Sequence, residues 1–327
     1  MKAHRALVAA VAVAAMAGVG SGSAHTPGRQ PEAPWSQSSP GTPDGELPLL
    51  RHHRYKMAGR VRPLLFWIGR ADVGMGEIVW RGGEGAVAYE LLIGTDAAKA
   101  PRGINRWGYL LEDARPSVTR ILGVMTTSDE ATISDVTSRP AGAQSAGRFK
   151  GLDARIAGGV SRSTAETIET ERDFSVREKA VIVGRIEQKL RDGVVREAPV
   201  PAGVRQGFLL AVAELVQDTV AARKSGGQAL QRLKGRTIPY IYSRTLYDLK
   251  LTDVDTVRSS GGGPPGAGLL HAEFGTLNRE KGSRTTFELE YATEGPLAGV
   301  PTLIRHRPRW WLEAVLTLED ASTASGR

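Results

Sequence analysis

Short runs of alternating apolar and polar residues, separated by glycine-rich breaks, fill most of the chain after Tyr55. This period of two is typical of strands that bury one face and expose the other. The apolar run 77–80 and the alternating run 87–93 flank a glycine-rich link at 81–85, which predicts a hairpin. The same pattern predicts further strands over 165–174, 239–251, 269–277, 285–291 and 309–318.

Residues 181–195 are also expected to form a hairpin. Ile182, Ile186 and Leu190 would then share one strand face. Asp192-Gly193 would supply the turn, because an Asp-Gly pair readily adopts the positive φ angles that a two-residue turn requires. The segment would add two strands to the sheet.

One segment has a helical period. From Phe208 to Val220 apolar residues recur every three or four positions, and Gly226-Gly227 follows as a helix end. Polar residues on the opposite surface exclude a membrane span and favour a helix that lies against a sheet. A second short helix is predicted over 228–234. Together these elements predict a mainly β fold with one packed helix, of the α+β class, whose curled antiparallel sheet forms a half-barrel or barrel.

Composition divides the chain into regions. The predicted regions are a signal peptide at 1–24, a disordered proline-rich spacer at 25–50, a β-rich domain at 51–320 and a flexible tail at 321–327. Two stretches rich in small residues, 138–163 and 259–268, are expected to be loops. The first is a candidate sub-domain break, and the alternative is that both loops project from a single sheet.

The first residues have the pattern of an export signal. Lys2 and Arg5 precede an uninterrupted run of small apolar residues at 6–19, and Gly22 and Ala24 supply the small side chains that a signal peptidase requires. The run is too short to span a bilayer. We therefore expect cleavage after Ala24 and a periplasmic or extracellular protein with no transmembrane segment once the signal is removed.

Composition also narrows the class of partner. The chain has 327 residues, no cysteine and a formal net charge of +8. Disulfides, thiolate nucleophiles and cysteine metal sites are therefore excluded, and stability must come from packing. The positive charge favours an anionic partner. For an exported protein we expect a lipid or another anionic envelope component rather than nucleic acid.

The motifs of common enzyme classes are missing from the sequence. It contains no Gly-x-Ser-x-Gly elbow, no Ser-x-x-Lys pair and no His-Glu-x-x-His zinc helix. His52, His53, His271 and His306 show no metal-ligand spacing. No catalytic residue, metal or cofactor is therefore assigned, and a binding role is favoured over catalysis.

Two alternatives stay open. Glu169 and Glu171 share one predicted strand face, as do Glu288 and Glu290, and such pairs in one cleft would suit a hydrolase acting on an envelope polymer or sugar. The ordinary interpretation of these pairs is a solvated strand face. The other alternative is an interaction scaffold whose sheet edge adds a partner's strand.

Three arginines and two tryptophans are concentrated just before the last predicted strand: Arg305, Arg307, Arg309, Trp310 and Trp311. Guanidinium groups form paired hydrogen bonds with phosphate or carboxylate, and indoles suit a head-group boundary or stack on sugar rings. This cluster is therefore the predicted ligand-binding site. The structural alternative is that Trp310 packs in the core while the arginines protect a sheet edge.

In layout the chain resembles secreted β-rich proteins of uncharacterised bacterial families. The resemblance lies in Asp72-Val73-Gly74 through Trp80, in Tyr240-Ile241-Tyr242 through Leu251 and in the closing strand, and it covers most of residues 55–320 loosely. It implies an envelope location and no established activity. The combined expectation is a non-enzymatic envelope protein whose curled sheet binds an apolar or amphiphilic anionic ligand, with the Arg–Trp cluster near its mouth.

Overall fold

The computed structural model describes residues 45–61, 68–100, 103–127, 146–257, 268–309 and 312–319, and strands predominate in them. The strands are β1 (Leu49–Val61), β2 (Ile68–Gly83), β3 (Ala86–Thr95), β4 (Trp107–Ala114), β5 (Thr119–Thr126), β6 (Gly147–Ala157), β7 (Val160–Thr170), β8 (Arg196–Pro199), β9 (Thr237–Tyr242), β10 (Thr245–Val257), β11 (Leu269–Asn278), β12 (Arg284–Ala292), β13 (Pro301–Arg309) and β14 (Leu312–Leu318). The α-helices are α1 (Lys179–Arg191), α2 (Phe208–Ser225) and α3 (Gly227–Arg232).

All fourteen strands of the described residues belong to one antiparallel sheet. β1 to β8 follow one another across the sheet, β9 to β14 do the same, and β1 joins the two runs by pairing with β14. β8 and β9 are the two edges and do not pair with each other, so the sheet is open. The prediction of a mainly β protein with one large antiparallel sheet is confirmed, whereas a closed barrel is wrong.

The sequence pattern located most of the strands. The predicted hairpin is β2–β3, and β11 and β12 agree with their predicted bounds to within one residue. The segment 239–251 spans parts of two strands, β9 and β10, because Ser243 adopts a positive φ of 60° and turns the chain between them. The predicted loop at 138–163 is wrong from residue 147 onward, where β6 and the start of β7 lie in the sheet. The predicted signal, most of the other predicted loop and the predicted tail lie outside the described residues, at 1–44, 258–267 and 320–327.

The predicted hairpin over 181–195 is wrong, because most of this segment is helix α1. Ile182, Ile186 and Leu190 are spaced by four residues, which suits one face of a helix as well as one face of a strand, and all three are buried. Asp192-Gly193 follows the end of the helix, where the Gly193 N–H donates to the Leu190 carbonyl at 3.3 Å. The turn signal was therefore a helix end.

Two helices pack on opposite faces of the sheet, where one was expected. The predicted helix is α2, which ends at Ser225 as expected and buries Phe208 and Leu215 in a core with residues such as Tyr55 and Phe274. α1 packs on the other face, over Trp107, Val124 and Phe149. Neighbours along a strand alternate between the two cores, so β4 gives Tyr109 to one and Leu110 to the other. None of the described helices is long and apolar enough to cross a membrane.

The segment after β8 carries the chain to the other end of the sheet. The Arg205 N–H donates to the Pro239 carbonyl at 2.9 Å, and the Arg205 carbonyl accepts from the Ile241 N–H at 2.8 Å, which occupies part of the β9 edge. Near this bridge the Ser161 hydroxyl of β7 donates to the carbonyl of Ser243. The two ends of the sheet are thus linked without pairing of β8 and β9.

Candidate functional site

A cavity of about 430 Å³ lies between the sheet and α2. Its lining comes from three parts of the chain and is mostly apolar. β2 and β3 provide Trp80 and Tyr89, α2 provides Val212 and Val216, and β12 and β13 provide Leu289 and Ile304, among others. Concave apolar sites of about 300–1,000 Å³ are typical of small-molecule ligands.

Strand alternation makes the cavity wall apolar. In β3, Tyr89, Leu91 and Ile93 line the cavity. Glu90 also borders it, but its carboxylate accepts hydrogen bonds from Arg81 at 3.1 Å and from the Tyr109 hydroxyl at 3.0 Å on the α1 side of the sheet. The one acidic residue among the described lining residues is therefore engaged away from the cavity.

Helix α2 forms one wall of the cavity, and its N-terminus lies against a buried carboxylate. Glu112 of β4 is fully buried and accepts hydrogen bonds from the backbone N–H groups of Phe208 at 2.7 Å and Leu210 at 3.0 Å. Gly207 makes this approach possible, since its φ is 146° and a Cβ there would lie 2.2 Å from Glu112 Oε2. Burial raises the pKa of Glu112 to about 7, although the backbone N–H groups of α2 favour the charged form.

At the rim of the cavity lies Arg51 of β1, the one cation among the described lining residues. Its guanidinium carbon is 5.0 Å from the centroid of the Trp80 ring. Trp80 in turn makes edge-to-face contacts with Tyr89 and His53, at centroid distances of 6.0 and 6.3 Å. Leu50 lines the cavity and is 62% exposed, so the cavity reaches solvent beside Arg51.

Two arginines of the predicted ligand site are held in ion pairs on the opposite face of the sheet. Arg305 Nη1 donates to Glu288 at 2.6 Å, and Arg307 Nε donates to Glu313 at 2.6 Å. Glu313 is buried, with 2% of its side chain exposed. Ile304 lines the cavity, and alternation along β13 directs Arg305 to the other side.

The side chain of Arg309 and the whole of Trp310 and Trp311 lie outside the described residues. Ligand binding by Arg305, Arg307, Arg309, Trp310 and Trp311 therefore stays a prediction, and the structure brings together a different set of residues around its cavity.

The carboxylate pairs that kept a hydrolase open do not line the cavity. Glu288 pairs with Arg305, and Glu290 lies 3.8 Å from His271. Glu169 is 3.7 Å from Arg148 with 77% of its side chain exposed, and Glu171 is exposed in the turn after β7. These carboxylates lie against basic side chains or in solvent, so their positions give a hydrolase no support.

The surroundings of His306 are those of a structural residue. Nδ1 of the buried His306 lies 2.9 Å from the Thr286 carbonyl, so this nitrogen carries the proton, and burial lowers the pKa of His306 to about 4. Within the described part of the chain, no three His, Asp or Glu side chains are grouped so that they could hold a metal ion.

Sequence reasoning did not single out Arg51, Trp80 or Glu112 as a group, because they come from three different strands. The available signal for Glu112 was its position in β4, where it shares a face with the buried Leu110. Comparisons with protein-family models, with curated proteins and with solved structures find no match to this chain.

Proposed function

We propose that this protein is an exported, non-enzymatic carrier that holds an apolar or amphiphilic molecule between α2 and the sheet. The observation that carries the proposal is the cavity, which has about 430 Å³, mostly apolar walls and an opening beside Leu50. Transfer of apolar surface from water into such a site gains about 25 cal/mol for each Å². Protein cores are ordinarily packed without voids of this size, which favours a ligand as the occupant.

A half-barrel form of the sheet is part of this proposal. The links between the two ends of the sheet, through Arg205 and Ser243, support a sheet that bends around α2. Such a frame would hold the sheet side of the cavity in place.

Export is proposed from the leader pattern of residues 1–24. The mass of the mature protein from its native envelope fraction tests it. We expect a chain that begins at His25. A full-length chain in the cytosol would exclude the export part of the proposal.

The carrier function is tested by filling the cavity. Ala213 lines the cavity from α2, whereas Ala221 lies on the exposed side of the same helix and provides the matched control. Displacement of an apolar fluorescent dye measures binding, and mass spectrometry of the native protein identifies any bound amphiphile. We expect Ala213→Phe to weaken dye binding by about tenfold or more and Ala221→Phe to leave it unchanged. Equal binding by both variants and the parent protein would contradict the proposal.

A further inference from the structure

We infer that the cavity selects a single-chain amphiphile with one anionic head group, a carboxylate or a phosphate, which Arg51 binds at the rim while the chain lies along α2. The inference rests on the proposed carrier function and adds the polarity of the ligand and the residue that recognises it. Three features of the molecule support it: the charge of the lining, the contacts of Arg51 and the position of the opening.

One charged group of the cavity lining faces the ligand without a charge that neutralises it. Arg51 is its only cation among the described residues, and the carboxylate of Glu90 is neutralised by Arg81 on the other face. An anion at the mouth therefore meets a positive potential inside a mostly apolar site, where ionic hydrogen bonds are stronger than in water.

Arg51 is anchored but has no carboxylate partner among the described residues. Its Nη1 donates to the Ala298 carbonyl at 2.9 Å, and its guanidinium lies over Trp80. Other arginines of β1 are paired, Arg54 with Glu77 at 3.5 Å and Arg60 with Glu313 at 3.3 Å. A guanidinium has five N–H donors, so Arg51 keeps a fixed orientation and spare donors for a planar or tetrahedral oxyanion.

A buried polar atom lies against the same indole. His53 Nε2 is buried and makes no hydrogen bond within the described residues, although the His53 ring contacts Trp80. Burial, followed by the charges of Arg51 and His52, lowers the pKa of His53. This shift favours the neutral ring, which adds no charge beside Arg51.

The position of the opening sets the direction of the ligand. Leu50, next to Arg51, is 62% exposed, whereas Phe208 and Ile304 at the other parts of the lining are buried. A head group at Arg51 therefore stays near water, and the chain extends between α2 and the sheet. A neutral alcohol would gain the apolar contacts but no ionic hydrogen bond.

The test compares dodecanoic acid, dodecyl phosphate and dodecanol below their aggregation concentrations, each measured by displacement of the same apolar dye. The parent chain is compared with Arg51→Gln, Arg51→Lys and the control Arg54→Gln, which removes an arginine from the opposite face of β1. We expect one or both anions to bind about ten- to a hundredfold more tightly than dodecanol. Arg51→Gln should remove this preference, whereas Arg54→Gln should keep it.

The outcomes separate the two proposals. Equal affinity for all three compounds in the parent chain, or an anion preference that survives Arg51→Gln, overturns the role of Arg51 and leaves the carrier function in place. Failure of the dye and all three compounds to bind overturns the carrier function itself. Comparison of the acid with the phosphate identifies the head group. If Arg51→Gln does not fold, two measurements decide the question. They are the preference of the parent chain for the anions over dodecanol and the retention of that preference in Arg51→Lys, which conserves the charge.

Discussion

The two helices that cover the sheet are packed in different ways. α1 fits its face closely, since at Gly151 of β6 a Cβ would lie only 2.1 Å from Ile186 Cγ2. α2 leaves a cavity of about 430 Å³ on its own face. Both faces belong to the same sheet, so the comparison is between two sides of one frame. Close packing is the ordinary state of a core, so under the proposed carrier function the cavity identifies the α2 face as the ligand-binding face.

The carboxylates near the starts of the two helices also differ, in their burial and in their pKa. Glu178, before α1, is close to solvent and accepts hydrogen bonds from Arg172 and the Ser175 N–H, with Arg172 foremost in lowering its pKa to about 2. Glu112, beneath α2, is fully buried, and burial raises its pKa to about 7. The pKa of Glu178 therefore lies far below neutral pH, whereas that of Glu112 lies close to it.

The largest effect is expected where α2 begins. Gly207→Ala would place a Cβ against Glu112 Oε2 at a φ of 146°, which we expect to cost about 4 kcal/mol of the free energy of unfolding or to prevent folding. Gly203 also has a positive φ of 76°, but an added Cβ there would meet no atom within 4 Å. Gly203→Ala should therefore cost only about 1–2 kcal/mol in urea denaturation. Similar costs for the two variants would show that contact with Glu112 does not hold α2.

Truncation of one side chain on each face tests the contrast in packing. Ile186→Ala should cost about 2–5 kcal/mol, because the closely packed α1 face cannot fill the new space. Val212→Ala on α2 should cost about 1 kcal/mol, because Val212 already borders a cavity. Urea denaturation measures both. If the Val212 variant loses as much as the Ile186 variant, the α2 face is packed as closely as the α1 face.

The pH dependence of stability should separate the two attachments. The folded-state pKa of Glu112, about 7, exceeds the ordinary 4.5, so its contribution is complete below about pH 4.5 and is lost as pH rises through 7, by at most about 3 kcal/mol. His306 acts in the opposite direction, since its pKa falls from 6.5 to about 4 and its contribution is lost as pH falls through 4.

From pH 6 to pH 8 the contribution of Glu112 falls, whereas that of His306 rises over the lower part of this interval. In urea denaturation the parent chain should therefore lose stability relative to Glu112→Gln between pH 6 and pH 8. Asp113→Asn, which changes the adjacent carboxylate on the other face, should retain the loss. The same loss in the Glu112 variant would assign the pH dependence to another group.

The smallest effect is expected on the open side of α1. Gly184 lies in the helix, is exposed and has no atom within 4 Å of an added Cβ. Gly184→Ala should therefore stabilise the protein by about 0.5–1 kcal/mol, since alanine has the higher helix propensity. Thermal denaturation measures the change. A loss of stability would contradict the assignment of residues 179–191 as a helix with a free outer surface.

Much of the fold was accessible from sequence because strand alternation is a local property. The hairpin β2–β3 and strands β11 and β12 follow from the period of two, and α2 follows from apolar residues three and four positions apart. The spacing of Ile182, Ile186 and Leu190 fits both periods, so it did not identify α1. Packing against Gly151 and Phe149 resolves this ambiguity, and a local pattern contains no information about such contacts.

The sequence by itself determined a mainly β chain with an amphipathic helix, since both depend on neighbours a few residues apart. Tertiary structure decided the site. Cross-strand pairing places Arg51 beside Trp80, and only the position of α2 shows why Glu112 is buried. Tertiary structure also pairs Arg305 and Arg307 with Glu288 and Glu313 on the face away from the cavity. Charge neutralisation depends on which strands are adjacent, and adjacency in a sheet is a long-range property.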